Sequence, residues 1–353
     1  MIERRYIILA PHQFATRGAK TAHGVIAYST DLTVAVVDPD HAGKTVREVV
    51  PYLDSDAPIV ASIAEGLTFG PTSLLIGTAP QGGALPPEWR AEIGAAIRAK
   101  LEVVSGLHDF LGDDAEFRGL ADEHDTRIWD LRLPPAAPLF SGAAYDIEAK
   151  ILLTVGSDCA VGKMTASLEI VRAARDRKVN AVFVPTGQTG IAIAGWGTAV
   201  DRVIADFAAG AAEQLVLEGE RRASDLLVVE GQGGINHPAY APVTLALLYG
   251  SAPDALVLVH LCKRTEIEGY GVPLLSYREL IRTYEGLCGS VKPARVVGIA
   301  LNTLGLSEDE ARAAIADAKE QTHLPVEDLV RYGPHAFYDA IAPAIEKTNV
   351  LQV

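Results

Sequence analysis

Leu153-Thr154-Val155-Gly156-Ser157-Asp158-Cys159-Ala160-Val161-Gly162-Lys163-Met164-Thr165 decides how the second half of this chain is read. An apolar run ends in a loop bounded by Gly156 and Gly162, and Lys163 opens the segment beyond it. Glycines let the chain curl so that successive backbone N–H groups converge. A helix N-terminus adds partial positive charge and Lys163 adds a full one, which makes a cradle for a di- or triphosphate. Two features depart from the common phosphate-loop spacing. Five residues rather than four separate the glycines, and Met164 stands between Lys163 and the hydroxyl residue Thr165. A displaced hydroxyl matters, because magnesium-assisted ATP hydrolysis would lose a metal ligand.

Working outward, Leu226–Val229 is another apolar run, closed by Glu230-Gly231-Gln232-Gly233-Gly234. An acid at that position can hold magnesium or orient a nucleophile, and Gly231 and Gly233 permit close backbone approach to a ligand. Thr186-Gly187-Gln188-Thr189-Gly190 follows a third run, and its hydroxyls and amide are expected to line the same crevice, since ligands sit beyond the carboxyl ends of parallel strands. Asn302 ends a fourth run, where its amide can bond a purine or close an Asx turn. His237, His260, Lys263 and Arg264 also fall at or just beyond strand ends. His237 has the chemistry to accept a proton near neutral pH, and Arg264 to clamp a carboxylate bidentately. A helix N-terminus would lower the pKa of Cys159, although a small loop-filling role suits it better.

Apolar runs of four to six residues alternate with helical segments along the whole chain, which predicts an α/β fold built on parallel sheets. Early strands are expected at 6–9, 34–37, 73–76, 101–104 and 127–131, and later ones at 151–155, 181–184, 226–229, 255–259 and 296–301. Helices are expected at 87–100, 162–177, 199–217, 241–249, 277–287, 307–321 and 335–347. Ser307-Glu308-Asp309-Glu310 reads as a capping box. Leu133-Pro134-Pro135-Ala136-Ala137-Pro138 breaks the rhythm and suits an extended linker. The expected domains are a Rossmann-like one at 1–135 and a P-loop NTPase-like one at 148–353. The first lacks a G-x-G-x-x-G after its first strand, so a dinucleotide site there is unsupported. Its Gly77–Gly83 segment is a possible anion cradle, and His108 and Lys20 are candidates for lining an interdomain cleft.

The chain has 353 residues, 49% hydrophobic and 22% charged, with 31 Lys and Arg against 45 Asp and Glu for a net charge of −14. That balance opposes nucleic acid and anionic membranes as partners but not one small anion in a local site. Three cysteines at no metal-type spacing exclude a disulfide scaffold and favour a reducing cytoplasm. No apolar stretch is long enough for a membrane span, and the N-terminus reads as a strand rather than a secretory signal. The expected partners are a small-molecule substrate and further copies of the chain.

Ala19-Lys20-Thr21-Ala22, Ser105-Gly106-Leu107-His108, Gly156 through Met164, Thr186 through Gly190 and Val229-Glu230-Gly231-Gln232-Gly233 together resemble one family over essentially the whole chain. That family is labelled a domain of unknown function. It joins a Rossmann-like domain to a P-loop domain of the dethiobiotin-synthetase type, in which the longer loop also occurs. One branch that looks like this chain is the D-glutamate N-acetyltransferases. The resemblance implies acetyl transfer from acetyl-CoA to a D-amino acid, with the P-loop holding CoA phosphates instead of cleaving ATP. The sequence departs from that branch after Gly233, where Gly234-Ile235-Asn236-His237 stands, and across 261–271. On this reading Glu230 or His237 is the base, Lys163 or backbone N–H groups stabilise the oxyanion, and Arg264 or Lys20 holds the substrate carboxylate. Two other readings stay open. One is an ATP-dependent ligase or kinase, with magnesium on Asp158, Thr165 and Glu230. The other is a non-catalytic nucleotide-binding protein.

Overall fold

Runs such as Ser73–Ile76 and Leu226–Val229 are buried at every position, as parallel strands covered on both faces must be. The computed structural model describes residues 4–78, 85–223 and 225–345. Its backbone divides into two units, Met1–Pro134 with Gln188–Ala199, and Pro135–Gly187 with Val200–Val353.

The first unit holds β1 (Arg5–Leu9), β2 (Leu32–Val37), β3 (Ile59–Val60), β4 (Ser73–Ile76), β5 (Glu102–Ser105) and β6 (Ile128–Asp130). They form one parallel sheet in the order β3-β2-β1-β4-β5-β6, the Rossmann-like arrangement expected. Helices α1 (Lys20–Tyr28), α2 (Val46–Val49), α3 (Ile63–Gly66), α4 (Arg90–Arg98) and α5 (Ala115–Glu123) alternate with them. Ile7, Leu74 and Val103 from the strands pack with Ile93, Ile97 and Phe117 from α4 and α5. The anion cradle expected at Gly77–Gly83 lies mostly outside the described residues.

The second unit holds β7 (Lys150–Gly156), β8 (Ala181–Val184), β9 (Leu226–Val229), β10 (Ala255–Leu261), β11 (Arg295–Asn302) and β12 (Val326–Glu327). Its parallel order is β12-β11-β10-β7-β9-β8, so the loop after β7 emerges between its neighbours β10 and β9. The helices of this unit are α6 (Lys163–Asp176), α8 (Ala205–Glu220), α9 (Ala241–Gly250), α10 (Tyr277–Gly289), α11 (Glu308–Thr322) and α12 (His335–Ile345), and α7 (Gln188–Ala194) lies between α6 and α8 in the chain. The capping box at Ser307 and Glu310 is present at the start of α11.

Three local expectations change. Residues 188–190 open α7 instead of continuing a loop, and α7 groups with the first unit. The helix expected at 199–217 is a short 3-10 turn, Val200–Arg202, followed by α8. The proline-rich stretch is not a free tether either. The buried Glu213 on α8 accepts the Ser141 N–H and hydroxyl at 2.8 and 2.9 Å and the Ala144 N–H at 3.3 Å. Among the described residues no helix is long and apolar enough to cross a membrane.

Candidate functional site

β7 ends at Gly156 and α6 begins at Lys163, so the quoted segment is a strand–loop–helix turn. Gly162 has φ +113°, a backbone state that a side chain would oppose, and Ala160 takes φ +54°. The N–H of Ser157 bonds the Val259 carbonyl at 3.0 Å. The N–H groups from Ala160 through Thr165 meet no acceptor among the described residues. Orphan donors on a curled loop, at the start of a 14-residue helix, form an anion cradle suited to phosphate oxygens.

Lys163 is buried, and its Nζ donates to the carbonyls of Asp158 and Gly233, both at 2.7 Å. Burial lowers its pKa to about 8, against the pull of the surrounding acids. One ammonium donor remains for a ligand or a developing oxyanion.

Asp158 is fully buried and accepts three hydrogen bonds. Oδ1 accepts the Cys159 N–H at 2.7 Å, and Oδ2 accepts the Glu268 N–H at 2.9 Å and Arg264 Nη1 at 2.6 Å. Burial pushes its carboxyl up, but these donors together hold it below the usual range. The group containing Asp158 whose ligand atoms lie within 4.8 Å of one another comprises Cys159 and His237, without Glu230. Asp158 is paired with Arg264 instead. Burial, with Asp158 adding to it, raises the Cys159 thiol to about 11, so the helix N-terminus does not activate it.

Glu230 follows β9 and is buried. Its Oε2 accepts the N–H groups of Thr186 and Gly187 at 3.0 and 3.2 Å, while its carbonyl accepts the Thr186 hydroxyl at 2.8 Å. Among the described residues nothing donates to Oε1. Burial raises the carboxyl to about 7, outweighing those N–H groups and Lys163. Gly231 N–H bonds Thr154 Oγ1 at 3.0 Å, tying this loop to β7.

His237 is buried at the turn into α9, where Nδ1 accepts the N–H groups of Ala239 and Tyr240 at 3.1 and 3.2 Å. Those two bonds engage the Nδ1 lone pair and tie the ring into the turn. Nε2 lies 3.9 Å from Asp158 Oδ1, beyond a hydrogen bond. Asn302 forms the Asx turn, with Oδ1 accepting the Leu304 N–H at 3.1 Å, and Nδ2 donates to the Val161 carbonyl at 3.2 Å. Its amide supports the loop, with one N–H and one oxygen lone pair left over.

Glycines 156, 162, 231 and 233, residues 157–161, Lys163, Met164, Thr165, Thr186, Gly187, Glu230, His237, Arg264 and Asn302 all belong to the second unit. Lys20, His108, Gln188 and Thr189 belong to the first, where Lys20 and His108 are exposed and Thr189 Oγ1 bonds Thr21 Oγ1 at 2.8 Å. Sequence reasoning missed Tyr284, whose hydroxyl donates to the Gly156 carbonyl at 2.7 Å and accepts the Ile235 N–H at 3.1 Å. It sits with Leu280 and Cys288 on the buried face of α10, an i, i+4, i+8 spacing that marked a core position, not a hydroxyl anchor. Also missed was the bond between His260 Nδ1 and Ser157 Oγ at 2.9 Å, where burial, aided by Arg264, lowers the imidazole to about 4.

Residues 39–134 match the family model described as a domain of unknown function, DUF1611_N, Rossmann-like domain. Residues 138–338 match the DUF1611_C P-loop domain. The chain is 38% identical over 276 residues to a D-glutamate N-acetyltransferase from a Pseudoalteromonas species, covering 77% of this chain and 82% of that protein. It is 34% identical over 350 residues to a D-glutamate N-acetyltransferase from Tritonibacter scottomollicae, covering 97% and 99%. A crystal structure of a DUF1611 family protein from Anabaena variabilis is similar at a TM-score of 0.91 and 39% identity, covering 96% of this chain and 99% of that one.

Proposed function

The chain belongs to the DUF1611 family, and on that premise we propose that it is an acetyl-CoA-dependent N-acetyltransferase acting on a D-amino acid such as D-glutamate. The observation that carries this reading is a cradle with unspent N–H donors whose one acid, Asp158, is already neutralised by Arg264. Such a loop suits phosphate groups that are held and not transferred. Acetyl-CoA supplies a thioester already activated towards an amine. The loop N–H groups and Lys163 are assigned to its phosphates.

An ammonium group must lose a proton before it can attack. Glu230 fits that task, with Oε2 fixed by two N–H groups, Oε1 open, and a pKa raised to about 7.

Calorimetric titration with acetyl-CoA, and separately with ATP and magnesium, tests the reading. Acetyl-CoA is expected to bind, and Lys163→Ala to weaken it by about 1.5–3 kcal/mol, the scale of a charge-assisted hydrogen bond. Free thiol is then expected on adding a D-amino acid, D-glutamate among a panel of both hands. Tight ATP binding without CoA binding, or thiol release that ignores the amine, would reject it.

A further inference from the structure

We propose that Arg264, oriented by Asp158, is the specificity-determining residue that grips a carboxylate of the amine acceptor; this rests on the acetyltransferase reading for the identity of that acceptor. Arg264 follows β10 at the base of a hairpin, in which the Ile267 N–H bonds the Val272 carbonyl at 2.7 Å and Glu266 bridges Pro273. The hairpin is pinned to the phosphate loop by the Glu268 N–H on Asp158 Oδ2, at 2.9 Å. The guanidinium is fixed through one nitrogen only. Nη1 meets Asp158 Oδ2 at 2.6 Å and Glu268 Oε2 at 3.2 Å.

Nε and Nη2 meet no acceptor among the described residues, yet neither is a buried atom lacking a partner. Both therefore keep some contact with solvent, although the side chain is only 13% exposed. Their two parallel N–H bonds match the two oxygens of a carboxylate. Asp158 balances the charge of Arg264, so recognition at this edge works through directed hydrogen bonds. A lysine cannot reproduce it.

A phosphate also has paired oxygens. It is matched instead by the orphan N–H groups from Ala160 to Thr165, which can serve no side chain of a small amino acid and the cofactor at once. Lys163 already spends two of its three donors on carbonyls. Arg264 is left as the cation touching the loop with a complete fork to offer.

Equilibrium calorimetry with D-glutamate and its two monoamides, D-glutamine and D-isoglutamine, tests this without turnover, and pyrophosphate serves as the phosphate arm. The proteins are the wild type, Arg264→Lys, and a double variant, Asp158→Asn with Arg264→Gln, that avoids a buried unpaired charge. The wild type is expected to bind D-glutamate at least about 30-fold more tightly than one of the amides, as a lost charged hydrogen-bond pair implies. Both variants should cut that preference to about threefold or less, and Arg264→Lys should leave pyrophosphate binding nearly unchanged, since its donors are elsewhere. An unchanged preference, a loss of pyrophosphate in place of D-glutamate, or a wild type that binds no D-glutamate overturns the proposal. A wild type that discriminates through Arg264 but releases no thiol from acetyl-CoA instead overturns the acetyltransferase reading and leaves this one standing.

Discussion

Burial sets the chemistry of Glu230 and also costs stability, so one substitution reads both. Its carboxyl is raised to about 7 in the fold, against about 4.3 in an unfolded chain. Between those values the native state holds a proton that the unfolded state has lost, so stability falls as pH rises through that window and levels off above it. Glu230→Gln removes the ionisable group and keeps an oxygen for the N–H groups of Thr186 and Gly187. The variant is expected to be at most about 3–4 kcal/mol more stable than wild type at pH 8, but only about 1 kcal/mol more stable at pH 5. Its kcat/KM should fall by about 10² to 10⁴, and the rising limb of the pH–rate profile near neutrality should vanish. Chemical denaturation at the two pH values and a rate profile measure this. Stability that ignores pH, or a retained limb, would remove Glu230 from the base role.

At the scale of elements, the middle of α8 packs against the proline-rich stretch and the residues after it. Gly210 on α8 lies so close to that stretch that an added Cβ would stand 1.9 Å from the Pro138 carbonyl oxygen. Gly210→Ala improves helix propensity, which alone would stabilise α8 by about 1 kcal/mol. The backbone clash outweighs it, and a net loss of about 1–3 kcal/mol is expected, as for other overpacked sites. A thermal midpoint equal to or above wild type would show that the stretch does not pack there in solution. The same contrast between local and distant causes explains what could be read from the sequence. Strands such as β8 and β9 are visible because each is four buried apolar residues in a row. β3 and β12 have two residues each and carry no pattern. α7 reads as a turn because Thr189-Gly190 sits in its first half, and burial of Gln188 through Ile193 overrides that weak propensity. The phosphate loop was legible because its chemistry is contiguous. The Arg264–Asp158 pair spans 106 positions, and no spacing rule announces it.

At the scale of the whole molecule, a net charge of −14 and a ligand with several phosphate charges pose a conflict that salt can resolve. Repulsion between the acidic chain and the anion acts over distance. Attraction comes from N–H groups and one lysine at contact range. Raising ionic strength from about 0.01 to 0.15 M shortens the screening length from about 30 to about 8 Å, which weakens the first far more than the second. The association rate for acetyl-CoA should therefore stay level or rise with salt. The dissociation rate should change little, because contacts in a partly buried cradle are poorly screened. A basic surface that captures polyanions behaves in the opposite way and loses orders of magnitude in affinity over a similar range. Stopped-flow measurements at several salt concentrations distinguish the two. A steep fall in association rate would mean that a cationic surface steers the ligand, and that the loop after β7 is not where its phosphates are held.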